Sequence, residues 1–110
     1  MGLLKSLVVN TRPLLLRELI YKAFLRRSAA QRTEFFHEAP LTYAPGIRMD
    51  LCPTDVGHQW IAYCGYGEKN VTKRLAHLAD SGGVLVDVGA NYGYYSLIWT
   101  ARRAGKRTID

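Results

Sequence analysis

The chain has 110 residues, with 15 Lys+Arg against 9 Asp+Glu and a formal net charge of +6. That length bounds it to one small domain with a modest core. It excludes a two-domain enzyme and is short for a complete doubly wound α/β enzyme. Apolar residues at 48% and charged residues at 22% lie near globular averages, which argues against disorder of the whole chain.

The charge is uneven. Residues 1–38 hold seven Lys/Arg and three Asp/Glu, a net of +4, and residues 39–110 hold eight and six, a net of +2. A basic excess describes surface potential rather than chemistry. No RNP, zinc-finger or helix-turn-helix pattern accompanies it, so no nucleic-acid partner is expected. The first nine residues are apolar but broken at Lys5, followed by Asn10-Thr11-Arg12. They make a poor secretory signal, and no stretch reaches the ~18 uncharged residues of a spanning helix. A cytoplasmic location is the resulting expectation, with peripheral membrane contact left open.

Pro13 suits a helix first turn, with Asn10 or Thr11 as cap. Leu14, Leu15, Leu16, Leu19, Ile20, Ala23 and Phe24 follow near helical spacing, ending around Arg26-Arg27. Arg17, Lys22, Arg26 and Arg27 are expected on the more polar side. Residues 1–38 thus read as a basic amphipathic helical segment, which either packs on its own domain or touches an anionic membrane or a protein partner. Over 39–67, prolines and glycines punctuate short runs. Ile47-Arg48-Met49-Asp50-Leu51 alternates as a half-buried strand does, and Gln59 to Cys64 fits strand or helix. From Asn70, as cap, a helix carries Val71, Leu75, Leu78 and Ala79 on one face and stops at Asp80-Ser81-Gly82-Gly83. Lys69, Lys73 and Arg74 read as its solvated face.

Cys52 and Cys64 form no CxxC pair, and His37, His58 and His77 are scattered, so no metal site is expected. Reduced thiols are the expectation, with a single disulfide as the alternative.

Val84-Leu85-Val86-Asp87-Val88-Gly89-Ala90-Asn91-Tyr92-Gly93-Tyr94-Tyr95-Ser96-Leu97 carries the chemistry. Val84 to Val86 reads as a strand buried on both faces of a parallel sheet. An acid, a glycine turn and a helix through Leu97, Ile98, Trp99 and Ala101 follow. A strand, a Gly-rich turn and a helix place backbone amides beside the strand's carboxyl end, where doubly wound folds bind nucleotide-like ligands. The Gly89 to Gly93 spacing is GxxxG rather than GxGxxG, and no GKS or GKT follows, which excludes a P-loop. Asp87 at the strand end disfavours a pyrophosphate and favours a positive centre, such as the amine and sulfonium of S-adenosylmethionine. Tyr92, Tyr94 and Tyr95 either stack on an adenine or serve packing.

The run from Asp87 to Ser96 resembles motif I of class I S-adenosylmethionine-dependent methyltransferases, and in particular the FkbM family. The resemblance covers about residues 41–107 and is tightest over 83–99. Met49-Asp50-Leu51, Asp55-Val56-Gly57-His58 and the Gly-x-x-Glu of Gly65 to Glu68 agree with it upstream. It implies a Rossmann-like α/β fold with N-terminal helices and short strands, residues 39–110 being the N-terminal part of the cofactor domain. It implies methyl transfer from S-adenosylmethionine to a hydroxyl of a small molecule or glycan. Asp87, Gly89, Ala90, Asn91, Tyr92 and Gly93 are then cofactor-binding residues. Glu68 matches the acid of the family's Tyr-Glu pair, with Gly67 standing in place of the tyrosine.

The ribose-gripping acid of this fold belongs about 20 residues past the glycines. Here that is at Asp110 or just beyond it, where the chain ends. The resulting expectation is a truncated copy, inactive alone, with no identified base. Its unpaired sheet edge would be open to self-association.

Overall fold

The computed structural model describes residues 2–88 and 93–106 as a mixed α/β structure in which helices dominate. Helix α1 spans Leu3–Val9 and α2 spans Leu14–Ile20. The latter runs on through a π turn at Tyr21–Leu25 and a 3₁₀ segment at Arg26–Gln31, kinked at Ser28. A further 3₁₀ turn, Thr33–Phe36, leads into strands β1 (Ala39–Leu41) and β2 (Ala44–Met49). Helices α3 (Val56–Cys64), α4 (Lys69–Ser81) and α5 (Tyr94–Lys106) complete the order.

Strands β1 and β2 pair antiparallel, with Ala39 opposite Met49 and Pro40 opposite Arg48. The register breaks between Pro40 and Leu41, and Gly46 in β2 adopts φ +88°, a conformation suited to glycine. Of the alternating run Ile47 to Leu51, residues 47–49 form the end of β2, and Asp50 and Leu51 lie beyond it. Gln59 to Cys64 resolves as helix: Asp55 caps α3 by accepting from the His58 amide (3.1 Å), and Gly65 closes it in the left-handed region.

One cluster of buried side chains joins the N-terminal helices to the rest. Tyr63 of α3 is its centre. It stacks on Tyr21 (centroids 5.0 Å) and Phe35 (4.2 Å), and its hydroxyl donates to the Ala29 carbonyl (2.7 Å). Offset aromatic stacking of this kind adds to plain area burial.

Four local expectations are corrected. Neither Asn10 nor Thr11 caps α2. Pro13 holds the cap position in extended conformation, while Asn10 ends α1 and Thr11 donates back to the Leu7 carbonyl. Arg17, expected on the more polar side of the helix, is instead buried. Arg17, Glu18, Tyr21 and Leu25 are buried, whereas Leu15, Leu16, Leu19 and Phe24 are exposed. Leu14, Glu18, Tyr21 and Leu25 form the inward stripe because that face meets Tyr63 and Tyr66.

Helix α4 begins at Lys69, after Glu68, rather than at an Asn70 cap. It buries Thr72, Ala76 and Ala79 with Leu75 half-buried, leaving Val71 and Leu78 exposed. Thr72 sets this rotation by donating to the Gly67 carbonyl (2.5 Å) and bonding the Tyr94 hydroxyl (3.0 Å). The small alanines let α5 lie close, and Arg102 of α5 pairs with Asp80.

The fourth correction concerns Val84–Val86. This segment has no regular secondary structure and belongs to no ladder among the described residues, and Val84, Val86 and Val88 are 88%, 79% and 89% exposed. A parallel strand is buried only when flanking strands and crossover helices cover both faces. The described sheet, a two-stranded hairpin, offers neither.

Candidate functional site

A cleft of about 730 Å³ opens where α2, α3, α4, α5 and the segment before α5 meet. Asp55, His58 and Trp60 reach it from the start of α3, Glu68 and Lys69 from the start of α4, and Tyr94 and Tyr95 from the start of α5. Glu18 and Lys22 come from the N-terminal helix, and Asp87 and Val88 from the segment before α5. Gly65, which ends α3, and Glu68, just before α4, turn the chain at positive φ between those helices, and Gly93 does so before α5. Glu68 does so at φ +45° without being glycine, a strained conformation of the kind that concentrates at functional sites.

Four carboxylates line the cleft against two lysines. Glu18 is buried, accepting from the Tyr66 hydroxyl (2.6 Å) and from Lys69 Nζ (3.1 and 3.3 Å). Burial pushes its carboxyl up, but the Tyr66 hydroxyl, the Lys69 ammonium and the nearby Lys22 together hold it below the usual range. Lys69 is thus an ion-pair partner rather than part of a solvated face.

Glu68 accepts from the Tyr95 hydroxyl (2.5 Å), and Asp87 Oδ2 from Ser96 Oγ (2.9 Å). These two bonds clip the segment before α5 and the start of α4 to the first turn of α5. Burial, followed by the hydrogen bond to Glu68, raises the Tyr95 phenol, so it remains a donor at neutral pH. Burial also raises the Tyr94 phenol, which accepts from the Gly67 amide (3.1 Å) and serves packing as well as lining. His58 Nδ1 accepts from the Cys52 amide (2.9 Å), which holds the ring at the mouth of α3.

The structure therefore brings together two of the residues singled out by sequence, Asp87 and Glu68, and adds Tyr95 as the link between Glu68 and α5. Gly93 precedes α5 at φ +79°, with nothing among the described residues within 4 Å of where a Cβ would stand. Gly89, Ala90, Asn91, Tyr92 and Asp110 lie outside the described residues. Glu18, Lys22, Asp55, His58 and Trp60 were not read as site residues from sequence. The charge of Glu18 inside an apolar run, and the place of Asp55 and His58 in a run that agrees with the family resemblance, were the available signals.

Cys52 and Cys64 are free, in line with the reduced expectation. Among the described residues no group of His, Cys, Asp and Glu could hold a metal ion. No helix there is long and apolar enough to cross a membrane. Comparison with known proteins finds no matching family model, no matching curated protein and no matching solved structure.

Proposed function

We propose that the cleft is the cofactor end of an S-adenosylmethionine-dependent methyltransferase site of the FkbM type, acting on a hydroxyl acceptor. The observation that carries this reading is the position of Asp87. The acid that ends the motif-like segment lines a cleft containing Glu68, Tyr94 and Tyr95. The donor set suits a cationic ligand, because carboxylates outnumber lysines in the cleft.

Asp87 and Glu68 would hold the cofactor's ammonium and ribose side, and Tyr94 or Tyr95 would lie against its apolar parts. The cofactor supplies an electrophilic methyl group on a sulfonium. The chain's own residues bind and orient. Ser96 fixes one Asp87 oxygen, Tyr95 fixes Glu68, and the rings narrow access for water. Catalysis of this type rests mainly on holding the two reactants in line. No residue of the cleft is assigned as base.

The test is titration of S-adenosylmethionine into isotope-labelled protein, followed by amide chemical shifts. Millimolar binding, worth about −4 kcal/mol, should shift the signals of Asp87, Glu68 and Tyr95 together. Asp87→Ala should weaken it about tenfold, equivalent to one lost charge-assisted contact of about 1.5 kcal/mol. Shifts scattered over the surface, or identical shifts in the Asp87→Ala variant, would refute the reading.

A further inference from the structure

Helices α1 and α2 are both turned inside out relative to ordinary amphipathic helices. In α1, Lys5 is buried, its ammonium donating to the His37 carbonyl (2.6 Å), while Leu3, Leu4 and Leu7 face outward. In α2, Arg17 and Glu18 are buried, and Leu15, Leu16 and Leu19 face outward. Both helices thus present leucines at the same i, i+1, i+4 positions. Phe24, 77% exposed, extends the apolar surface by a further turn.

Scattered exposed leucines are normal, but six within residues 3–19 are not. Arg12 and Arg27 are exposed among and beyond them, and Lys22 and Arg26, also exposed, lie over the Trp60 ring at 5.7 and 5.8 Å from its centroid. The one acid in residues 2–33 is Glu18, and it is buried against Tyr66 and Lys69. The outward residues of this segment are therefore apolar and cationic, and the exposed acid beside it, Glu34, lies against Gly2 at the start of α1.

We infer that residues 3–27 form a membrane-surface element that seats its leucines and Phe24 among the acyl chains of an anionic bilayer, with Arg12, Arg26 and Arg27 at the headgroups. A combination of apolar and basic side chains is what such an interface complements. No described helix is long and apolar enough to span, so the element lies on the surface. Its leucines are not part of the cleft, so this inference stands apart from the methyltransferase reading.

The experiment is co-sedimentation of the full chain with vesicles of phosphatidylcholine, alone or mixed with phosphatidylglycerol, at low and high salt. Binding should need the anionic lipid and weaken with salt, because the arginine contribution is screened. Arg26→Gln/Arg27→Gln should lower partitioning about tenfold or more, and Leu15→Ser/Leu19→Ser by a similar factor. Circular dichroism checks that the variants stay folded, which their surface positions favour. Equal binding to pure phosphatidylcholine, unchanged binding of the leucine variant, or no binding at all overturns the inference. So does a dimer in sedimentation velocity that the leucine substitutions abolish while vesicles are ignored, since that assigns the surface to a second copy of the chain.

Discussion

Glu18→Ala removes the acceptor that ties α2 to the chain around α4. Glu18 is 6% exposed and receives the Tyr66 hydroxyl at 2.6 Å and Lys69 at 3.1 Å. Truncation leaves the Tyr66 hydroxyl, on a residue 5% exposed, without its acceptor. That orphaned donor costs about 1–3 kcal/mol. Lys69 loses less, because its side chain is 38% exposed and can turn to water. The expected loss is about 2–3 kcal/mol, a large share of the ~5–15 kcal/mol by which a domain is stable.

The effect carries a pH signature. The folded pKa of Glu18 lies below its unfolded value, so its contribution is fully present above about pH 4.3, the unfolded value. It drains away as pH falls through the folded value. Urea unfolding followed by tryptophan fluorescence at pH 7 and under acid conditions measures both parts. Glu18→Ala should be much less stable than the parent at pH 7, and the gap should shrink on acidification. A Tyr66→Phe cycle should show coupling of about 1 kcal/mol or more. Equal stability at pH 7, or a gap that widens in acid, would refute the network.

Two further outcomes follow from the same geometry. Burial raises the Cys64 thiol to about 12, whereas hydrogen bonds from Thr54, first its side chain and then its backbone, lower that of the partly exposed Cys52. Iodoacetamide on the native protein should therefore label Cys52 and spare Cys64, with both labelled in urea; mass spectrometry of peptides reads this directly. Gly65→Ala should destabilise by about 1–3 kcal/mol in the same urea assay, because φ is +85° and a Cβ there would run into Thr42. A neutral effect would show that the α3 terminus tolerates a side chain.

Much of the local structure was legible without coordinates. The Gly82 stop of α4, the alternating β2 strand and the α5 helix depend on neighbours within a few residues, where backbone sterics and side-chain period act alone. The candidate site was legible to the extent that its acids sit in motif-like runs, Asp87 in one and Glu68 in another. Their meeting in one cleft was not, since it depends on Tyr95 reaching Glu68 across 27 residues.

The faces of α2 and α4 were the main misreadings. In α2 almost every position is apolar, so period alone defines no inside. Tyr63 and Tyr66, more than 40 residues away, decide it by offering a ring to Tyr21, a carbonyl to Arg17 and a hydroxyl to Glu18. Arg17 follows its face inward even though its Nη2 finds no partner among the described residues and burial drops its pKa to about 10. In α4 the Thr72 hydroxyl outweighed the larger apolar side chains at Val71 and Leu78. By itself, then, the sequence determined the Gly82 stop of α4, the strand character of Ile47–Met49 and the helical run that becomes α5. Tertiary structure decided which face of each helix is covered and whether the Val84–Val88 run is buried, because burial depends on partners that local sequence does not specify.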